Sequence, residues 1–198
     1  MVHPLTLISL IALLSAGWAD SAAAARCTTK ASLRRAGVAI AKEIRCASQT
    51  VLNGEVDPAC QAPAVPACAQ EALAQSLEIV FGPGALPDGS TWPKARRLCL
   101  QKLTRESGHF FSGRIRERLK GHRSARRGRS FHRVATVCDA VNIDAVGDSS
   151  RRTGLVSACL QTRDGKIDGR ATAGCIRSSL EAAIDDIAPE PLAPNVIL

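Results

Sequence analysis

The sequence predicts an all-α fold: a small disulfide-stapled bundle of about five or six helices, built from clipped helical hairpins. Three observations carry that expectation. Apolar residues recur at helical spacing in most segments, and strand-like alternation is nearly absent. The eight cysteines (Cys27, Cys46, Cys60, Cys68, Cys99, Cys138, Cys159 and Cys175) are even in number and include no C-x-x-C pair. That pattern reads as up to four disulfides rather than a zinc site or a redox motif. Finally, the chain has no Tyr, four Phe and, beyond its first residues, one Trp, Trp92. A ring-poor core needs staples, each worth about 2–4 kcal/mol.

The first segment stands apart from the bundle. Leu5 to Ala16 is an uncharged apolar run followed by the small residues Ala22 to Ala25, the layout of a secretory signal peptide over residues 1–24. The run is short of the roughly 20 residues that span a bilayer, so no permanent membrane anchor is expected. Cleavage after Ala19 or after Ala24 fits an A-x-A-like rule, although no Lys or Arg precedes the apolar run. Cys27 follows Ala-Ala-Arg, which does not suit a lipoprotein anchor. The expectation is an exported protein, periplasmic or secreted, with its folded domain over residues 25–188.

Helices then follow in order. From Lys30 to Leu52 the positions Leu33, Gly37, Ile40, Ile44 and Val51 keep a helical period, and Asn53-Gly54 stops it. Pro58, Pro63 and Pro66 mark a loop. A second helix is expected from about Ala67 to Phe81, with Ala69, Leu73, Leu77 and Val80 on one face and Gly82-Pro83-Gly84 ending it. Thr91-Trp92-Pro93 is the expected start of a third, with Pro in its first turn. Its face comprises Leu103, Phe110 or Phe111, Ile115 and Leu119, weakened by Gly108 and Gly113. Shorter helices are expected over about Phe131 to Val141 and Thr153 to Thr162. The clearest stripe is the last: Ile176, Leu180, Ala183, Ile184 and Ile187. Residues 189–198, with three prolines, are expected to form an extended tail.

Two segments read as copies of one unit. Each has a Cys (Cys46 or Cys159), a turn of the form Asn/Asp-Gly-charged-β-branched-Asp (from Asn53 or Asp164), another Cys (Cys60 or Cys175) and then a helix. In a clipped hairpin Cys159 pairs with Cys175 across the turn. By the same argument Cys46 pairs with Cys68 or Cys60, and Cys68 is favoured for its nearness to the following helix. Cys27 and Cys46 cannot pair along a continuous helix, which separates them by roughly 28 Å. Cys27, Cys60, Cys99 and Cys138 are left without an assigned order. The turn Asp164-Gly165-Lys166-Ile167-Asp168-Gly169 is faintly similar to a calcium loop, but Lys166 and Cys175 fall where oxygen ligands belong. It reads as a tight turn.

Cys-bearing helices with Lys/Arg-rich spacing and Asn-Gly or Asp-Gly turns, over Cys46 to Cys68 and Arg96 to Cys175, resemble uncharacterised exported Cys-rich helical proteins of bacteria. The resemblance implies fold class and export. It implies no activity, catalytic residue or cofactor.

Charge is the functional signal. Residues 94–133 hold 14 Lys or Arg against 2 Glu, a net of +12; the rest of the chain holds 12 basic and 16 acidic residues, a net of −4. Within this segment, residues 121–130 lack any apolar side chain larger than Ala and read as a mobile arginine-rich loop. Arg123, Arg126, Arg127 and Arg129 are the candidate contacts for a polyanion, whether acidic polysaccharide, lipid phosphate or nucleic acid; a solvated surface loop with no partner is the other reading of the same residues. No G-x-S-x-G, H-E-x-x-H, P-loop or G-x-G-x-x-G is present, so no enzyme, metal or cofactor is expected. Two alternatives stay open: a secreted inhibitor, and a secreted hydrolase assembled from His109, His122, His132 and distant acids.

Overall fold

Helix α1 (Lys30–Asn53) starts on a capping threonine, Thr29. Thr29 Oγ1 accepts from the Ser32 amide at 3.0 Å, and Ser32 Oγ accepts from the Thr29 amide at 3.2 Å. This reciprocal box satisfies donors that the first turn cannot. Gly54 ends α1 in the left-handed region, φ 73°, where a side chain would be strained. Three of the carbonyls of the last turn are taken. Thr50 accepts from the Gly54 amide, Val51 from the Gly89 amide, and Leu52 from the Arg97 guanidinium at 3.2 Å.

In a computed structural model, the described residues are 26–120, 129–139, 159 and 162–188, apart from 57, 59, 61, 62, 84 and 87, with only backbone for 129 and 130. A short 3-10 turn (Ala67–Ala69) leads into α2 (Gln70–Phe81), as the spacing predicts. Helix α3 (Lys94–Lys120) begins one residue after Pro93, whose carbonyl accepts from Arg97. It runs unbroken through Gly108 and Gly113. Helix α4 (Arg129–Cys138) starts earlier than expected, so Arg129 and Ser130 belong to a helix and not to the basic loop. Helix α5 (Gly169–Ile187) is capped by Asp168, which accepts from the Ala171 amide at 2.9 Å. The expected signal peptide (1–24), residues 121–128, most of the expected 153–162 helix and the tail (189–198) lie outside the described residues.

The five helices close on a single core. Helix α3 packs against α1, α4 and α5, and α2 packs against α5 and α1. The stripe Ile176, Leu180, Ala183, Ile184 and Ile187 is buried, as are Leu33, Ile40, Ile44 and Val51 of α1. All four Phe and Trp92 are buried too, with Phe110 and Phe131 edge-to-face at 5.4 Å. The few rings therefore concentrate in the core. The α1–α3 seam is closest at two glycines. A Cβ on Gly37 would lie 3.0 Å from Ile115, and one on Gly108 would lie 3.0 Å from the Ala41 carbonyl oxygen. Buried Thr104 Oγ1 donates within this seam, with Ser48 Oγ at 3.1 Å and the Leu100 carbonyl at 2.9 Å.

Four disulfides staple the bundle: Cys27–Cys68, Cys46–Cys60, Cys99–Cys138 and Cys159–Cys175. The Cys159–Cys175 bridge forms as the clipped hairpin requires. The favoured Cys46–Cys68 pairing is corrected, because Cys68 closes on Cys27 instead. Nearness of Cys68 to α2 was the wrong criterion. Cys27 just ahead of α1 needs a partner, and α2 runs alongside α1. The resulting pairs, 46–60 and 159–175, occupy equivalent places in the two repeated segments.

The turns of those segments nevertheless differ. Gly54 is a helix terminus, whereas Asp164 (φ 52°) and Gly165 (φ 71°) form the two-residue connection of a small antiparallel hairpin. Its strands, β1 (Thr162–Arg163) and β2 (Lys166–Ile167), pair Thr162 with Ile167 and Arg163 with Lys166. Asp-Gly with both residues at positive φ is the connection that matches strand twist. Thr162 is thus in a strand, not at the end of a helix.

Glycine substitutions separate close packing from open space. A Cβ at Gly169 would overlap the Ala135 carbonyl oxygen of α4, whereas one at Gly113 meets nothing within 4 Å. Gly113→Ala should stabilise the chain by about 0.5–1 kcal/mol through helix propensity. Gly169→Ala should destabilise it by about 1–3 kcal/mol, because a backbone oxygen cannot move aside cheaply. Urea unfolding of the two variants decides this, and equal midpoints would be inconsistent with the α4–α5 packing.

Candidate basic double groove

The structure divides the cations of residues 94–133 into two groups. One group is used inside the fold. Arg96 is buried and stacks on Trp92 at 3.9 Å, and burial without a carboxylate lowers its pKa. Arg97 donates to the Ser90 and Leu52 carbonyls, and Lys102 pairs with Glu106 at 3.0 Å. Arg114 grips Glu181 of α5 through its Nε at 2.8 and 2.9 Å and Glu117 at 2.7 Å. Arg118 reaches Glu181 at 3.2 Å, Asp185, and the Ala188 carbonyl beyond the end of α5. A cation at the negative end of a helix dipole is favourable, so α3 caps α1 with one arginine and α5 with another.

The second group faces outward along the α1–α3 seam, where two grooves follow one another. The first, about 700 Å³, is lined by Lys30, Arg34, Arg35, Arg116 and Lys120 around Ala31, Gly37, Val38, Ile115 and Leu119. The second, about 620 Å³, is lined by Lys42, Arg45, Arg105 and His109 with Ser48, Gln49, Gln101 and Thr104, and Cys60 at its edge. The close approach of Gly108 to Ala41 falls between them. Among the described residues, no carboxylate lines either groove. Among the described residues, none of these eight Lys and Arg forms an ion pair.

One face of each helix supplies these side chains. On α1, residues 31, 35, 38, 42, 45 and 49 recur every three or four positions, and on α3 residues 105, 109, 112, 116 and 120 do the same. The arginine forks and lysine ammoniums therefore line one strip, able to hold several anionic groups in series.

The expected site residues map onto this strip only in part. Arg123, Arg126 and Arg127 lie outside the described residues, as does His122. Arg129 is in the first turn of α4, and its side chain lies outside the description. The chain enters residues 121–128 directly from Lys120, at the end of the first groove. Reading charge by segment overlooked Lys30, Arg34, Arg35, Lys42 and Arg45, because α1 lies outside residues 94–133. The signal was present: α1 carries five cations and one acid, Glu43, with no carboxylate in its first turn. His109 sits at the second groove and His132 on α4, both exposed. The His109 imidazole bonds to no described residue, so nothing described orients it as a catalytic base. No known protein family, curated protein or solved structure matches this chain.

The Arg114–Glu181 pair makes the fold sensitive to acid. Partial burial alone would raise the Glu181 carboxyl, but the hydrogen bonds and charges of Arg114 and then Arg118 outweigh it and hold it below its ordinary value of 4.5. The folded-state pKa is lower than the unfolded one. The stabilisation is therefore present above the ordinary value and is lost as pH falls through the folded one. Solvent screening keeps the effect modest. In urea unfolding, the advantage of the wild-type chain over Glu181→Gln should be largest at neutral pH and shrink below about pH 4.5. A gap unchanged down to about pH 3 would show that the carboxyl is not held by its arginines.

Proposed function

We propose that the protein is an exported, disulfide-stabilised binding module that holds a polyanion along the basic strip of α1 and α3. The observation that carries this reading is the segregation of charge. Eight cations share one face with no carboxylate among its lining residues, while the acids of α5 serve the opposite side of α3. Like charges three and four residues apart on a helix repel, costing a few tenths of a kcal/mol per pair. Lys30 in the first turn of α1 adds to the positive end of the dipole. An anionic partner relieves both costs. Export is supported by four closed disulfides, which persist in oxidising compartments, and by the apolar run Leu5 to Ala16. No helix among the described residues is long and apolar enough to cross a membrane.

Heparin chromatography tests the binding. The wild-type protein should be retained and elute at a salt concentration well above that of a variant carrying Arg34→Gln, Arg45→Gln, Arg105→Gln and Arg116→Gln. Its log affinity should fall more steeply with log salt, because more counterions are released. All four side chains are exposed, so unfolding temperature should be unchanged. Equal retention of both proteins would remove the strip as the contact. Export is tested by the mass of the mature chain, expected to begin at Asp20 or Ala25; a chain that keeps Met1 and free thiols contradicts it.

A further inference from the structure

We infer that the first groove takes the headgroup of a membrane phospholipid, its phosphate on the cationic rim and the adjoining part of the lipid on the aliphatic floor. This rests on the polyanion reading and narrows it to one ligand class. The floor decides it. Ala31, Val38, Ile115 and Leu119 offer neither a side-chain hydrogen-bond group nor a ring, and Ser112 is the one uncharged polar side chain beside them. Bases of a nucleic acid bind single-strand grooves by stacking on aromatic side chains, and every Phe of this chain, with Trp92, is buried in the core. An acidic polysaccharide presents hydroxyls along its whole length, and the aliphatic side chains of this floor offer them no partner. Methylenes and glyceryl carbons suit it.

Val38 sharpens the point. It is 49% exposed, three and four residues from Arg35 and Arg34, so a branched aliphatic side chain stands in water between two arginines. Aliphatic groups beside cations are the arrangement that reads an anionic bilayer surface, where charge attracts and apolar burial holds. The second groove provides the contrast within the same strip. Its cations surround Ser48, Gln49, Gln101 and Thr104 together with Leu52, a more polar set of side chains than the aliphatic floor of the first groove. A volume of about 700 Å³ is that of a small-molecule site, enough for a headgroup and the first atoms beyond it. Each buried methylene adds about fourfold to affinity.

The test uses the full disulfide-bonded protein and vesicles of phosphatidylglycerol in phosphatidylcholine, with phosphatidylcholine vesicles as the neutral control. The variant is Val38→Ser with Leu119→Gln, which keeps every charge; Val38→Ser alone serves as a second variant at an exposed position. Co-sedimentation with the anionic vesicles should fall about tenfold in the double variant and about threefold in the single one. Heparin elution should not move in either. The inference is overturned if either variant sediments like the wild type, or if inorganic phosphate displaces the protein at the phosphate concentration of the lipid. Retention on heparin without preference for anionic vesicles overturns the lipid inference and leaves the polyanion reading standing. Failure to bind either removes both.

Discussion

The close contact of α1 with α3 is the constraint on which the rest depends. Two helices approach this tightly only where one partner lacks a side chain, and here the gaps alternate, Gly37 under Ile115 and Gly108 against Ala41. Outside these contacts, the outward positions of both helices along the seam carry long side chains. Those long side chains are Lys and Arg. Their aliphatic stems cover the seam while their charges stay in water. Two basic grooves separated by a pinch are the geometric result.

Charge in this protein is partitioned by α3. Its inner and lateral cations meet partners that fold the chain: the Trp92 ring, the Leu52 and Ala188 carbonyls, and Glu181 and Asp185 of α5. Among the described residues, its outer cations Arg105, Arg116 and Lys120 pair with no acid and lie beside further cations from α1. A hydrophobic core is indifferent to which sign lies on an outer face, so folding alone does not explain a strip with one sign. The anionic partner proposed above is consistent with it. The same partition explains why the formal charge of residues 94–133 overstates what lines the strip, and α1, with five cations and one acid, supplies five of its eight Lys and Arg.

The disulfides join elements that packing alone would hold weakly. Two close short loops, with sequence separations of 14 and 16, and two close longer ones, of 41 and 39. On a chain-entropy account these are worth about 3 and about 4 kcal/mol each. Cys99–Cys138 fastens α3 to α4, Cys27–Cys68 holds the start of α1 to the turn before α2, and Cys159–Cys175 closes the β-hairpin onto α5. Together with Phe81, Trp92, Phe110, Phe111 and Phe131 in one core, they let a chain poor in large rings maintain a fixed bundle.

Helix existence and type were legible in the sequence because periodicity and stop signals are local. The stripe from Ile176 to Ile187 and the glycine at 54 each act within a turn or two of themselves. Pairing of Cys159 with Cys175 was legible for the same reason, since a short turn leaves little choice. The partner of Cys46 was not, because Cys60 and Cys68 are both close in sequence and only the position of α2 beside α1 assigns Cys68 to Cys27. Asp164-Gly165 announced a turn, but whether strands or helices flank it depends on the chain docking against α5. The basic strip was half legible. Composition located cations on α3, yet which of them are consumed by Glu181, Asp185 and helix carbonyls, and which stand beside Arg34 and Arg45, is settled only when α1, α3 and α5 come together, because electrostatic partners are chosen by distance in space and not along the chain.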